Sequence, residues 1–165
     1  MKRVKFVGYT LVEVLVSLSI MGVILGVGFM SYRDLSRRQN ISGSVRQVLG
    51  DLRFLQNDSL AGRKPTGCTG TLNSYNFRVI AGNPITTYVL EAECSGPPLT
   101  TVIVKQASLP VGTYFNALPV VNPIRFKTVG DGTNIVSGQS VILTIAGSGT
   151  AFTQTVNISF SGNAQ

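Results

Sequence analysis

The chain has 165 residues, 44% of them apolar and 13% charged, with no histidine and a net charge of +7. That length allows one domain plus an appended segment, and the lack of His removes imidazole bases and His metal ligands. Three of the positive charges are Lys2, Arg3 and Lys5; without them 11 of the 14 Lys and Arg face 7 Asp and Glu, a modest excess typical of a solvated surface.

The first eight residues, MKRVKFVG, are basic and end in a small residue, Gly8. An ordinary secretory signal places its small residue after the apolar region. Here it comes before, so a cut after Gly8 would remove the charges and keep the apolar run. That run carries one acid, Glu13, and is then uncharged from Val14 to Tyr32, 19 residues. At 1.5 Å per residue this is about 28 Å of helix, enough with polar flanks to predict a membrane-spanning helix. A lone carboxylate in such a helix costs about 2.5–3.5 kcal/mol and calls for a partner. Charge leaves the orientation open, because Lys2, Arg3 and Lys5 oppose Arg33, Arg37 and Arg38. Gly22 and Gly26 form a G-x-x-x-G pair, which lets two helix backbones approach closely; glycine is also simply common in membrane helices.

The stretch Gly8-Tyr9-Thr10-Leu11-Val12-Glu13, between a basic leader and an apolar run, resembles the class III signal of type IV pilins and type II secretion pseudopilins. The resemblance implies cleavage between Gly8 and Tyr9 by a prepilin peptidase, then methylation of the Tyr9 amine. It also implies a single-pass protein of the inner (cytoplasmic) membrane, N-terminus inside, with a periplasmic or extracellular head that enters a filament. Glu13 would pair with the Tyr9 amine of a neighbouring subunit and set the axial register; the alternative is a contact with lipid headgroups. The family usually has Phe where Tyr9 stands, and major pilins often have Pro where Met30 stands, a departure that favours a minor subunit.

Beyond Tyr32, apolar residues recur at Ile41, Val45, Val48, Leu52 and Leu55, in steps of four and three that mark one helical face, with Arg46, Asp51 and Arg53 off it. Gly62 followed by Lys64-Pro65 predicts the helix end. The period then becomes two. Tyr75/Phe77/Val79, Tyr88/Leu90/Ala92, Ile124/Phe126, Val141/Leu143/Ile145 and Val156/Ile158/Phe160 predict strands, with a shorter one at Val102–Val104. Turns are expected at Gly82-Asn83-Pro84, Gly96-Pro97-Pro98, Gly130-Asp131-Gly132 and Gly147-Ser148-Gly149. The expected fold is therefore α+β: a long N-terminal transmembrane helix packed on an antiparallel β domain of six or seven strands in two small sheets, one of them closed over the Ile41–Leu55 face. Its segments are a leader (1–8), a transmembrane or filament-core half-helix (9–32), an amphipathic half-helix (33–62) and a β-rich head (63–165).

Asp51-Leu52-Arg53, the Phe126…Gly130 segment and the closing strands Val141–Ala146 and Thr155–Gly162 are similar to the GspH/FimT group of minor pseudopilins and minor pilins. Cys68 and Cys94 sit early in the domain, whereas the familiar major-pilin bridge lies near the C-terminus, and the tail is uncharged. In an exported domain two cysteines predict a disulfide, the alternative being two buried thiols.

No catalytic constellation is found. Cys68 and Cys94 lack C-x-x-C spacing, Glu91 and Glu93 read as a solvent-facing strand pair, and no cofactor or metal is expected. The expected function is structural: a non-enzymatic minor pilin or pseudopilin whose partners are other pilins, a prepilin peptidase and an assembly platform. The competing reading is a minor pilin that captures DNA, with Arg125 and Lys127 on one strand face as a phosphate patch, against the plainer reading of a solvated face.

Overall fold

The structure, a computed structural model, describes residues 8–96, 99–128 and 132–165, apart from the side chains of 27, 28, 30 and 31. The leader residues 1–7, Pro97-Pro98 of one expected turn and Gly130-Asp131 of another lie outside the described residues. The elements are α1 (Leu11–Leu60), β1 (Thr71–Val79), β2 (Thr87–Ser95), β3 (Thr100–Ser108), β4 (Thr113–Phe115), β5 (Ile124–Lys127), β6 (Ser140–Gly147) and β7 (Thr153–Ser159). The chain divides into two compact units, one ending at Ser36 and one spanning Arg37–Gln165, and α1 contributes to both.

The expectation of a transmembrane helix is corrected. Among the described residues, no helix is long and apolar enough to cross a membrane. The described apolar stretch of α1, 11–26, has 16 residues and includes Glu13. The next described stretch, 32–60, opens with Arg33, Asp34, Arg37 and Arg38. The single-pass inner-membrane placement falls with the same finding.

The helix ends as its sequence predicts. Gly62 has φ +60°, the Arg63 amide donates to the Asp58 carbonyl at 3.0 Å, and the Gly62 amide donates to the Ser59 carbonyl at 3.2 Å. This is the left-handed glycine cap that satisfies the last helical carbonyls.

In the second unit, the Ile41, Val48, Leu52 and Leu55 side chains are buried in one core with β residues. Period two sets that core. Tyr75, Phe77, Val79, Tyr88, Leu90 and Ala92 turn inward from one sheet, of order β3-β2-β1-β5. Leu143, Ile145, Val156 and Ile158 turn inward from the other, of order β4-β6-β7. Both sheets therefore share the core with the helix, where one was expected. At Gly147 β6 passes close to α1: a Cβ there would lie 2.8 Å from Ile41 Cδ1. Ser44, buried on the core side of the helix, is satisfied by Thr113 Oγ1 at 2.9 Å. β4, three residues long, went unread because it is too short to show a period.

Side chains and the C-terminal tail close sheet edges. Beside β1, Asn122 accepts from the Val79 amide and donates to its carbonyl at 3.0 and 2.8 Å. Asn134 accepts from the Arg125 amide of β5 at 2.9 Å and donates to the Pro123 carbonyl at 3.0 Å. The tail pairs with β7 through Asn157 and Gln165.

Cys68 and Cys94 form a disulfide with a Cα–Cα distance of 5.7 Å, joining the segment after α1 to the end of β2 across 26 residues of sequence. Closing a loop of that length stabilises the fold by about 3–4 kcal/mol in the chain-entropy account. The double variant Cys68→Ser/Cys94→Ser is expected to lose about that much in urea unfolding, with the folded circular dichroism spectrum kept. An unchanged midpoint would show that the bridge restrains nothing.

Candidate functional site

In the first unit Thr10 caps the start of α1, its hydroxyl accepting from the Glu13 amide at 3.3 Å. Thr10-Leu11-Val12-Glu13 has the capping-box spacing, and Glu13 lies in the first turn, where the helix dipole favours an acid. The Thr10 cap was legible in that spacing. Ser17 and Ser19 donate back to the Glu13 and Leu15 carbonyls at 2.8 and 2.9 Å, so these hydroxyls need no outside partner.

Around this capped start the helix is apolar on all sides and uncovered. Eleven large apolar side chains between Leu11 and Leu25 are 46–76% exposed, and Tyr9 before them is 82% exposed. Gly22 and Gly26, four residues apart, share one face, and a Cβ on either would meet nothing within 4 Å. The structure thus brings Tyr9, Glu13, Gly22 and Gly26 together on one exposed apolar segment.

In the second unit a polar clamp ties the helix to its sheet. Asp51 accepts from the Tyr88 hydroxyl at 2.7 Å and from Lys105 Nζ at 2.6 Å, while Gln47 donates to the Tyr88 hydroxyl at 2.9 Å and to the Ser108 carbonyl at 3.2 Å. Tyr88 is fully buried. Burial first, then the hydrogen bond to the Asp51 carboxylate, holds its phenol well above its ordinary pKa. Tyr75, donating to the Arg63 carbonyl at 2.7 Å, is raised by burial and then by Asp58.

Arg125 and Lys127 do share the exposed face of β5. That face continues across β1 and β2 as an ion-pair ladder: Arg125 lies 3.5 Å from Glu93, Arg78 lies 2.9 Å from Glu91, and Asn76 donates to Glu93 at 3.3 Å. Glu91, expected to face solvent, is only 8% exposed under this ladder. The register brings Asn76 opposite both Glu91 and Arg125, and single-strand patterning could not show that. The positive charge at Arg125 is met within the sheet. Among the described residues, no three His, Cys, Asp or Glu side chains converge as a metal site.

Comparison with family models, with curated proteins and with solved structures finds no match.

The raised Tyr88 pKa has a pH consequence. The folded form holds the phenolic proton more tightly than the unfolded form, whose pKa is the ordinary 10. Stability is therefore full below about pH 10 and falls as pH rises above it. Tyr88→Phe is expected to cost about 1–2 kcal/mol at pH 7, by removing a hydrogen bond to a carboxylate, and to flatten the alkaline fall. Urea titrations from pH 7 to 11 check both; an identical alkaline slope in the variant would contradict the assignment to Tyr88.

Proposed function

We propose that this chain is a structural subunit of a filament, a minor pilin or pseudopilin of the type IV pilus or type II secretion kind, assembling through its N-terminal helix. The observation that carries the reading is the capped, exposed, all-round apolar helix from Leu11 to Gly26, in a chain whose second unit buries a core of its own. Covering eleven such side chains, each half to three-quarters exposed, is worth roughly 10–20 kcal/mol, comparable to the whole stability of a typical domain. Counterpart helices of neighbouring subunits supply that cover, with Gly22 and Gly26 allowing close approach. Glu13 pairs with the neighbour's Tyr9 amine once the leader is removed after Gly8. The partners are other subunits, a prepilin peptidase and an assembly platform. The DNA-capturing reading gains no support from Arg125, which is already paired with Glu93.

Co-expression with a prepilin peptidase is expected to yield a chain beginning at Tyr9 with a methylated amine, read by intact mass. Retention of residues 1–8 would count against the reading. Glu13→Ala is expected to keep cleavage, because the cut is at Gly8, and to reduce incorporation into sheared filament material roughly tenfold or more by leaving a buried amine without its counter-charge. Normal incorporation would refute the register role.

A further inference from the structure

From Arg37 onward the chain carries ten Lys and Arg against five Asp and Glu. All four described carboxylates there are engaged within the chain: Asp51 with Lys105 at 2.6 Å, Asp58 with Arg63 at 3.7 Å, Glu91 with Arg78 at 2.9 Å and Glu93 with Arg125 at 3.5 Å. None is paired with Arg46 or Arg53. These two arginines are exposed, and the helical period puts them on the side of α1 opposite the buried Ile41–Leu55 face.

The same outward side carries Gly43 and Gly50, where a Cβ would meet nothing within 4 Å. Each glycine costs about 1 kcal/mol relative to Ala in a helix interior, and no packing within the chain offsets it. Between Arg38 and Arg46 the glycine notch opens into a groove of about 440 Å³, with Gln39 and Ser42 beside Gly43. One wall is held in place, since the Arg38 guanidinium stacks 5.2 Å from the centre of the Phe152 ring.

We propose that this outward face of α1, from Arg38 to Arg53, docks a carboxylate-bearing protein neighbour of a different sequence, whose backbone approaches over Gly43 and Gly50 while its acids meet Arg46 and Arg53. This rests on the reading of the chain as a filament subunit and gives the chemistry of its neighbour there. A second copy meeting the same face would set arginine against arginine, and the described carboxylates of its head are already paired. Nucleic acid fits less well. Arg46 and Arg53 are seven residues apart, about 10 Å along the helix, against one duplex charge per roughly 1.7 Å. A glycine notch serves the close approach of a polypeptide backbone.

The test places a photo-cross-linking residue at Gln39, and separately at Leu18 on the apolar segment, in the full chain inside assembling cells. The expected result at Gln39 is an adduct with a different polypeptide. Its yield drops roughly tenfold in Arg46→Glu/Arg53→Glu, returns when two acids of the partner's cross-linked segment are changed to Lys, and is unchanged in Lys64→Glu/Lys127→Glu. Gly43→Ala/Gly50→Ala raises the urea midpoint of the chain yet lowers the adduct yield, which separates docking from folding. An adduct with the chain's own copies or with nucleic acid overturns the proposal, as does a yield indifferent to the arginine reversal. Loss at Gln39 with the Leu18 adduct intact overturns the docking face and leaves the filament reading standing. Loss at both positions overturns the two together.

Discussion

Eleven large apolar side chains between Leu11 and Leu25 stand half to three-quarters exposed among the described residues, and the proposed assembly rests on them. The hydrophobic effect scales with area, and a helix apolar on every side cannot hide one face and wet another. Local chemistry completes it in every other respect: Thr10 caps it, and Ser17 and Ser19 bond back to its own carbonyls. What it lacks is packing. Glu13 adds a charge whose natural place is the first turn, where the helix dipole favours it.

From Arg37 on the situation reverses. The head buries one core between both sheets and one helical face, although single apolar side chains such as Val111 and Val120 stay exposed on its loops. It also answers its described carboxylates with cations and closes the outer side of β5 with Asn134 and that of β7 with its own tail. Closed edges limit unplanned strand pairing, a hazard for any β domain held at high local concentration beside copies of itself. Asp51 is central to this unit, since one carboxylate receives both a buried phenol and a lysine and so fixes the helix against β2 and β3. α1 thus carries two kinds of surface: an exposed apolar stretch in the first unit and a face buried in the core of the second.

How far the sequence could be read depended on the range of each interaction. The Gly62 cap, the helical stripe and most strands follow from neighbours a few residues apart, and those signals survive in a single chain. Asp51 read as an off-stripe charge because its partners lie 37 and 54 residues away on other strands. The ladder over Glu91 depended on a register that no single strand encodes. At the N-terminus the expected membrane span did not hold among the described residues. The Thr10-x-x-Glu13 box shows the opposite failure: the local signal was present, and a more distant role for Glu13 drew attention from it.

Electron cryo-microscopy of filaments isolated from cells making this chain tests the central claim most directly. The account predicts residues 11–26 packed against the corresponding helices of neighbouring subunits inside the filament, the Glu13 carboxylate beside a neighbour's Tyr9 amine, and the head outside. A filament in which that segment touches no other helix, or in which Glu13 lies away from every amine, would contradict it.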